Sequence, residues 1–199
     1  MMLRPASALP ALCLMLAALS GCNTLVAQNP ASSLKPVNAV RHGDDARLML
    51  CGYDVVGYFT AGQALPGLPQ HRIELDGVAY QFASAEHQAQ FQLEPQRYRL
   101  AYHGFDAMRM VFAIPDAADP TVWLLHEGRV FFFADAASKQ AFELDLANNV
   151  ALADAYWRDE VAGHNSAWQS LQRRIDRVPH YRSRDALAQA VLEAQSKPR

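Results

Sequence analysis

The sequence predicts an α+β domain: a small antiparallel hairpin sheet with helices packed on one side, the hairpin-helix unit repeated, and further helices at the C-terminus. Three observations predict it. Residues 73–94, IELDGVAYQFASAEHQAQFQLE, align with residues 124–145, LLHEGRVFFFADAASKQAFELD, at a constant offset of 51, which sets Gly77 on Gly128, Tyr80 on Phe131, Phe82 on Phe133 and Phe91 on Phe142. In each copy a pair, Asp76-Gly77 or Glu127-Gly128, divides two alternating apolar runs, the pattern of a two-residue turn that needs positive φ. Behind each second strand stands an N-cap, Ser84 or Asp135, whose side-chain oxygen accepts an orphan amide of the following helix.

Taken in order, the chain opens with Met1 to Arg4, an apolar run from Ala8 to Leu19 and the junction Leu19-Ser20-Gly21-Cys22. A short positive region, an apolar core and small residues at the junction mark a secretory signal over residues 1–21. The run is shorter than the ~20 apolar residues a bilayer-spanning helix needs. LSGC resembles the bacterial lipobox, which implies that Cys22 receives lipid, is acylated with chains such as palmitate and becomes the first residue of the mature protein. Several acyl chains, at ~0.8 kcal/mol per CH₂, make such an anchor stable. Asn23 rather than Asp follows the cysteine, which favours the outer membrane, facing the periplasm. Residues 22–47, rich in Ala, Ser, Asn and Pro with little periodicity, read as a lipidated tether. The predicted partner is therefore the membrane, through the anchor.

The 199 residues are 51% hydrophobic and 19% charged, with 18 Lys and Arg against 20 Asp and Glu, for a net charge of -2. One domain with extensions fits that length. A balance this even, without a basic run, excludes a nucleic-acid footprint. Of three cysteines, Cys13 leaves with the signal and Cys22 is spent on lipid, so Cys51 has no intramolecular disulfide partner.

The domain is expected over residues 48–157. Tyr80, Phe82, Phe131 and Phe133 fall at period two on one strand face and are assigned to core packing, with Phe91 and Phe142 pointing back at the sheet. CGYDVVGYFT from Cys51, AYQFASAEHQAQF, EPQRY and YHGFDAMRMV resemble, in order and spacing, the YHS domain family of bacterial secreted proteins. That resemblance implies a small α+β domain. Metal-related relatives carry FCSxxCxxxF after the strand, with thiolates suited to copper or zinc. Here the matching positions hold Ala83 and His87, and a further family cysteine falls on Asp106, so no four-thiolate site can form. A His/Asp set of His87, His103 and Asp106 is the remaining candidate for Zn²⁺ or Cu²⁺.

Asp54, Tyr58, Tyr102 and Asp106 are the binding-cleft candidates; the alternative for Asp54 is a structural one, accepting backbone amides beside the Tyr53 strand entry. Cys51 is the one candidate nucleophile. No phosphate loop, paired-carboxylate motif or HExxH accompanies it, so a Cys-dependent enzyme is the weakest reading. Residues 158–199 form a helical extension, with helices over 165–175 and 184–195 broken by Pro179, and caps at Asn165 or Ser166 and at Ser183. The stripe Trp168, Leu171 and Ile175 is expected to pack on its own domain, with Arg173 and Arg174 solvated opposite. The function expected is a non-catalytic binding or accessory module on an envelope lipoprotein, with a periplasmic His/Asp metal-binding protein as the alternative.

Overall fold

The computed structural model describes residues 47–164 and 166–197. The signal, Cys22 and the tether as far as residue 46 lie outside the described residues, as does Asn165. The elements run as a tight turn at Met49–Gly52, helix α1 (Val55–Thr60), strands β1 (Leu68–Leu75) and β2 (Val78–Phe82) and helix α2 (Ala85–Leu93). A second tight turn at Ala101–Gly104 leads to α3 (Ala107–Met110), β3 (Asp119–His126), β4 (Arg129–Phe133) and α4 (Ala136–Glu143). Then come α5 (Leu146–Tyr156), widened into a π turn at Trp157–Val161, α6 (Ser166–Ile175) and α7 (Arg184–Ser196). The architecture is α+β, as expected. The hairpins do not merge, however: β1 pairs with β2 in one antiparallel sheet and β3 with β4 in another.

Local chemistry accounts for both hairpins. Asp76 and Gly77 have φ of 52° and 77°, Glu127 and Gly128 of 49° and 74°, the doubly positive turn that matches strand twist. Ile73 pairs with Tyr80 and Leu124 with Phe131, and each register slips at the same place, between Leu68 and Arg72 or between Asp119 and Trp123. The Ser84 hydroxyl accepts the His87 amide, and the Asp135 carboxylate accepts the Ser138 amide. Phe91 packs 4.6 Å from the Tyr80 ring and 5.1 Å from Phe82, while Phe142 lies 5.8 Å from Phe131 and 5.3 Å from Phe133.

The repeat reaches further upstream than Ile73. Leu50 and Cys51 have φ of 48° and 51°, followed by Gly52 at 87°; Tyr102 and His103 both have 50°, followed by Gly104 at 82°. Each turn is followed by an aromatic residue and an aspartate, Tyr53-Asp54 and Phe105-Asp106, that opens a short helix. Parallel bridges seat both turns beside their own hairpins, Leu48 on Ala79 and Leu100 on Val130. The unit is thus turn, short helix, hairpin, helix, present twice.

The halves lock face to face. Val130 to Phe133 are all buried, with no alternation, because β4 is covered on both sides. Phe131 and Phe133 meet α4, while Phe132 meets the edge of Tyr58 from the first half at 5.0 Å. The Tyr58 hydroxyl donates to the Pro120 carbonyl at 2.8 Å, and its ring also touches Trp123. Helix α7 packs through Leu187 and Val191. Helix α6 does not behave as expected: Trp168, Leu171 and Ile175 face outward, and Gln169 and Ser170 face the core.

Candidate functional site

Asp54 and Asp106 are both fully buried, at equivalent places. One Asp54 oxygen accepts the Val56 amide at 2.9 Å and caps α1, while the other accepts the Ala83 amide at 2.9 Å, just past β2. Asp106 repeats this with Met108 (2.8 Å), Arg109 (3.1 Å) and Ala134 (3.1 Å). Each carboxylate ties a helix start to a strand end. Burial pushes the Asp106 carboxyl up to about 6, against its three amide donors. Tyr58 and Tyr102 are buried as well, and burial raises the pKa of both phenols. The expected cleft of Asp54, Tyr58, Tyr102 and Asp106 is therefore corrected. These side chains are buried in the core, with their oxygens taken up by backbone amides, by His87, by Pro120 or by Asp154.

The expected metal set does not assemble either. His87 Nδ1 lies 2.5 Å from Asp54 Oδ2, so a proton on Nδ1 is donated to that carboxylate. Its Nε2 lies 3.5 Å from the Thr60 hydroxyl, which donates to the Val56 carbonyl. His103 instead sits against Trp157, with ring centroids 5.0 Å apart. Asp106 has its oxygens filled by amides. Among the described residues no group of three His, Cys, Asp or Glu side chains is placed to hold a metal ion.

The duplication separates fold from candidate function. The buried aspartate, the left-handed turn and the hairpin occur in both halves and serve the scaffold. His87 has Ser138 as its counterpart, yet Asp106 keeps its place without an imidazole, so the fold does not require the His87–Asp54 pair. Cys51 and His103 likewise occupy the same strained position of the two turns. Non-glycine residues held at such φ cost about 1–3 kcal/mol each and persist only where the surroundings over-determine them.

His103 lines a cavity of about 230 Å³ between the first hairpin and the second turn, shared with Tyr80, Phe91, Tyr98, Arg99 and Trp157. Burial, with a smaller push from Arg99, lowers the imidazole to about 4, so it is neutral at ordinary pH. His103 Nδ1 is shielded from solvent and has no hydrogen-bond partner among the described residues. An unpaired buried nitrogen costs about 1–3 kcal/mol. The wall on the far side is held by a clamp: Arg129 makes a bidentate pair with Asp154 at 2.7 and 2.8 Å, and the Tyr102 hydroxyl donates to the same carboxylate at 2.8 Å. Burial opposes the charge on Asp154, but these donors outweigh it and hold its pKa below the usual carboxylate range. With α5 fixed there, Trp157 falls three residues later over His103.

Sequence reasoning named His103 but not this cavity, whose walls come from four separate segments. The cue within the sequence was the second occurrence of Gly-aromatic-Asp, which places His103 at the turn position that Cys51 fills in the first copy. Comparison with protein-family models, with curated proteins and with solved structures finds no match.

Proposed function

We propose that this chain is a lipid-anchored envelope protein whose YHS-like domain is a non-catalytic module that binds a small, partly aromatic organic acid at His103. One observation carries the reading: an aromatic-lined cavity contains a neutral imidazole with an unpaired, shielded nitrogen and has the Arg99 guanidinium in its wall. Tyr80, Phe91, Tyr98 and Trp157 supply ring faces and edges, Arg99 the charge for an acid group, and His103 a hydrogen bond. The volume lies below the roughly 300–1,000 Å³ of drug-sized sites, which suits a single ring. Asp54 and His87 lie outside this wall, whose rim also carries the turn carboxylate Asp76.

Benzoate is a suitable probe. Titrated into the protein, it should move the Trp157 indole resonance saturably in a ¹H–¹⁵N spectrum, and Arg99→Ala should weaken the response at least tenfold. Absence of any saturable Trp157 shift at millimolar benzoate, phenol and indole would sink the cavity reading. A stoichiometric Zn²⁺ or Cu²⁺ stabilisation lost in His103→Ala would replace it with metal binding. The anchor has its own test: Cys22→Ser should leave the protein unacylated and release it from the membrane fraction, and retention at wild-type levels would refute the lipobox reading.

A further inference from the structure

Helix α6 is mounted inside out. Trp168, Leu171 and Ile175 are 68%, 49% and 78% exposed, at a spacing that puts them on one stripe. The buried side is polar. Gln169 donates to the Ala113 carbonyl, and Arg173 pairs with Glu160. Gln169 Oε1 and Ser170 Oγ are buried with no partner among the described residues. A seat that buries unpaired polar atoms and wets a tryptophan, a leucine and an isoleucine makes sense when an apolar phase covers the outer stripe.

We propose that this stripe lies in the headgroup layer of the membrane, on anionic phospholipid. Three observations choose lipid as the occupant. Residues 166–182 hold four arginines against the single acid Asp176; Arg173 is taken up by Glu160, which leaves Arg174, Arg177 and Arg182 exposed, with Arg174 beside Leu171. A tryptophan and two aliphatics flanked by arginines form the composition of an interfacial helix, in which basic residues meet headgroups and the aromatic ring sits at the boundary. Finally, about 25 residues separate Cys22 from the first described residue. Covalent geometry limits a stretch of that length to a reach of at most about 90 Å, so an anchored Cys22 keeps the domain near the surface. At ten residues α6 is about 15 Å long, so it rests on the bilayer and does not cross it.

The inference rests on the Cys22 anchor for proximity, and the test separates the two. The full acylated protein is reconstituted into phosphatidylethanolamine/phosphatidylglycerol vesicles with brominated acyl chains, and tryptophan emission is compared with that in unbrominated vesicles. Wild type should lose a component of emission that Trp168→Phe lacks. The exposed pair Leu171→Glu/Ile175→Glu should abolish that quenching while circular dichroism stays native. Unquenched wild-type emission on vesicles that carry the protein overturns the proposal. So does equal quenching in Trp168→Phe, or a concentration-dependent dimer that the Glu pair dissolves. Flotation of wild type against Cys22→Ser reads the anchor alone. Quenching without Cys22-dependent flotation supports the helix contact and removes the anchor; flotation without quenching does the reverse.

Discussion

Asp106 and His103 lie three residues apart and are shifted by the same force, burial, in directions that oppose one another in their effect on stability. His103 is held at about 4 in the folded chain against ~6.5 unfolded, so its stabilisation is present above ~6.5 and is lost as pH falls towards 4. Asp106 is raised to about 6 against ~3.9 unfolded, so its contribution is present below ~4 and is lost as pH rises through 6. Between pH 4 and 6 the two slopes partly cancel. Removing either should expose the other. In urea unfolding across pH 4 to 7, His103→Phe should lose stability, relative to wild type, as pH rises, and Asp106→Asn should lose it as pH falls. The remaining titrating groups are common to all three proteins and drop out of the differences. Two variants whose curves run parallel to wild type would refute this assignment of the protons.

At the scale of elements, burial decides which helix positions matter. Phe91 and Phe142 hold their helices against the hairpins and are at most 3% exposed. Each Phe→Ala should cost about 3–5 kcal/mol by denaturant unfolding, the range for a large-to-small core change. Leu171→Ser on α6 should stay within about 0.5 kcal/mol in the absence of lipid, because its side chain is half exposed, whereas Leu187→Ala on α7 should cost about 2–5. A Leu171→Ser loss equal to that of Leu187→Ala would mean that α6 packs the other way round. Hairpins and caps were legible in the sequence because their chemistry is local: a Gly after Asp or Glu, period-two aromatics, a Ser or Asp before a helix. The left-handed turns were not, because Leu50, Cys51, Tyr102 and His103 are not residues that announce positive φ. The offset also changes from 52 to 51 between turn and hairpin, which hides the upstream part of the repeat. For α6, spacing defines a stripe and says nothing of the direction it faces. The cavity depends on Arg129 and Tyr102 gripping Asp154 from distant segments, a long-range arrangement with no local trace.

Across the whole molecule, duplication created two units that cannot each cover their own apolar face. Tyr58 belongs to the first half, yet its ring is buried against Trp123 and Phe132 of the second, and its hydroxyl donates to the Pro120 carbonyl there. Phe132 in turn would lose its cover if the first half were absent. A unit of about 50 residues lies where a single core is marginal even when complete. Residues 47–99, prepared separately from residues 100–197, should therefore give a poorly dispersed amide spectrum and no cooperative thermal transition. Mixed at equal concentration they should recover dispersion, together with the near-ultraviolet signal of Trp123 packed on Tyr58. The Tyr58→Phe variant of the first fragment removes only the bond to Pro120, worth about 1 kcal/mol net, so it should still reassociate, some fivefold more weakly. Tyr58→Ala deletes the ring and should block reassociation. A first fragment that melts cooperatively alone would show that its face is covered from within, and the locked-halves account would fall.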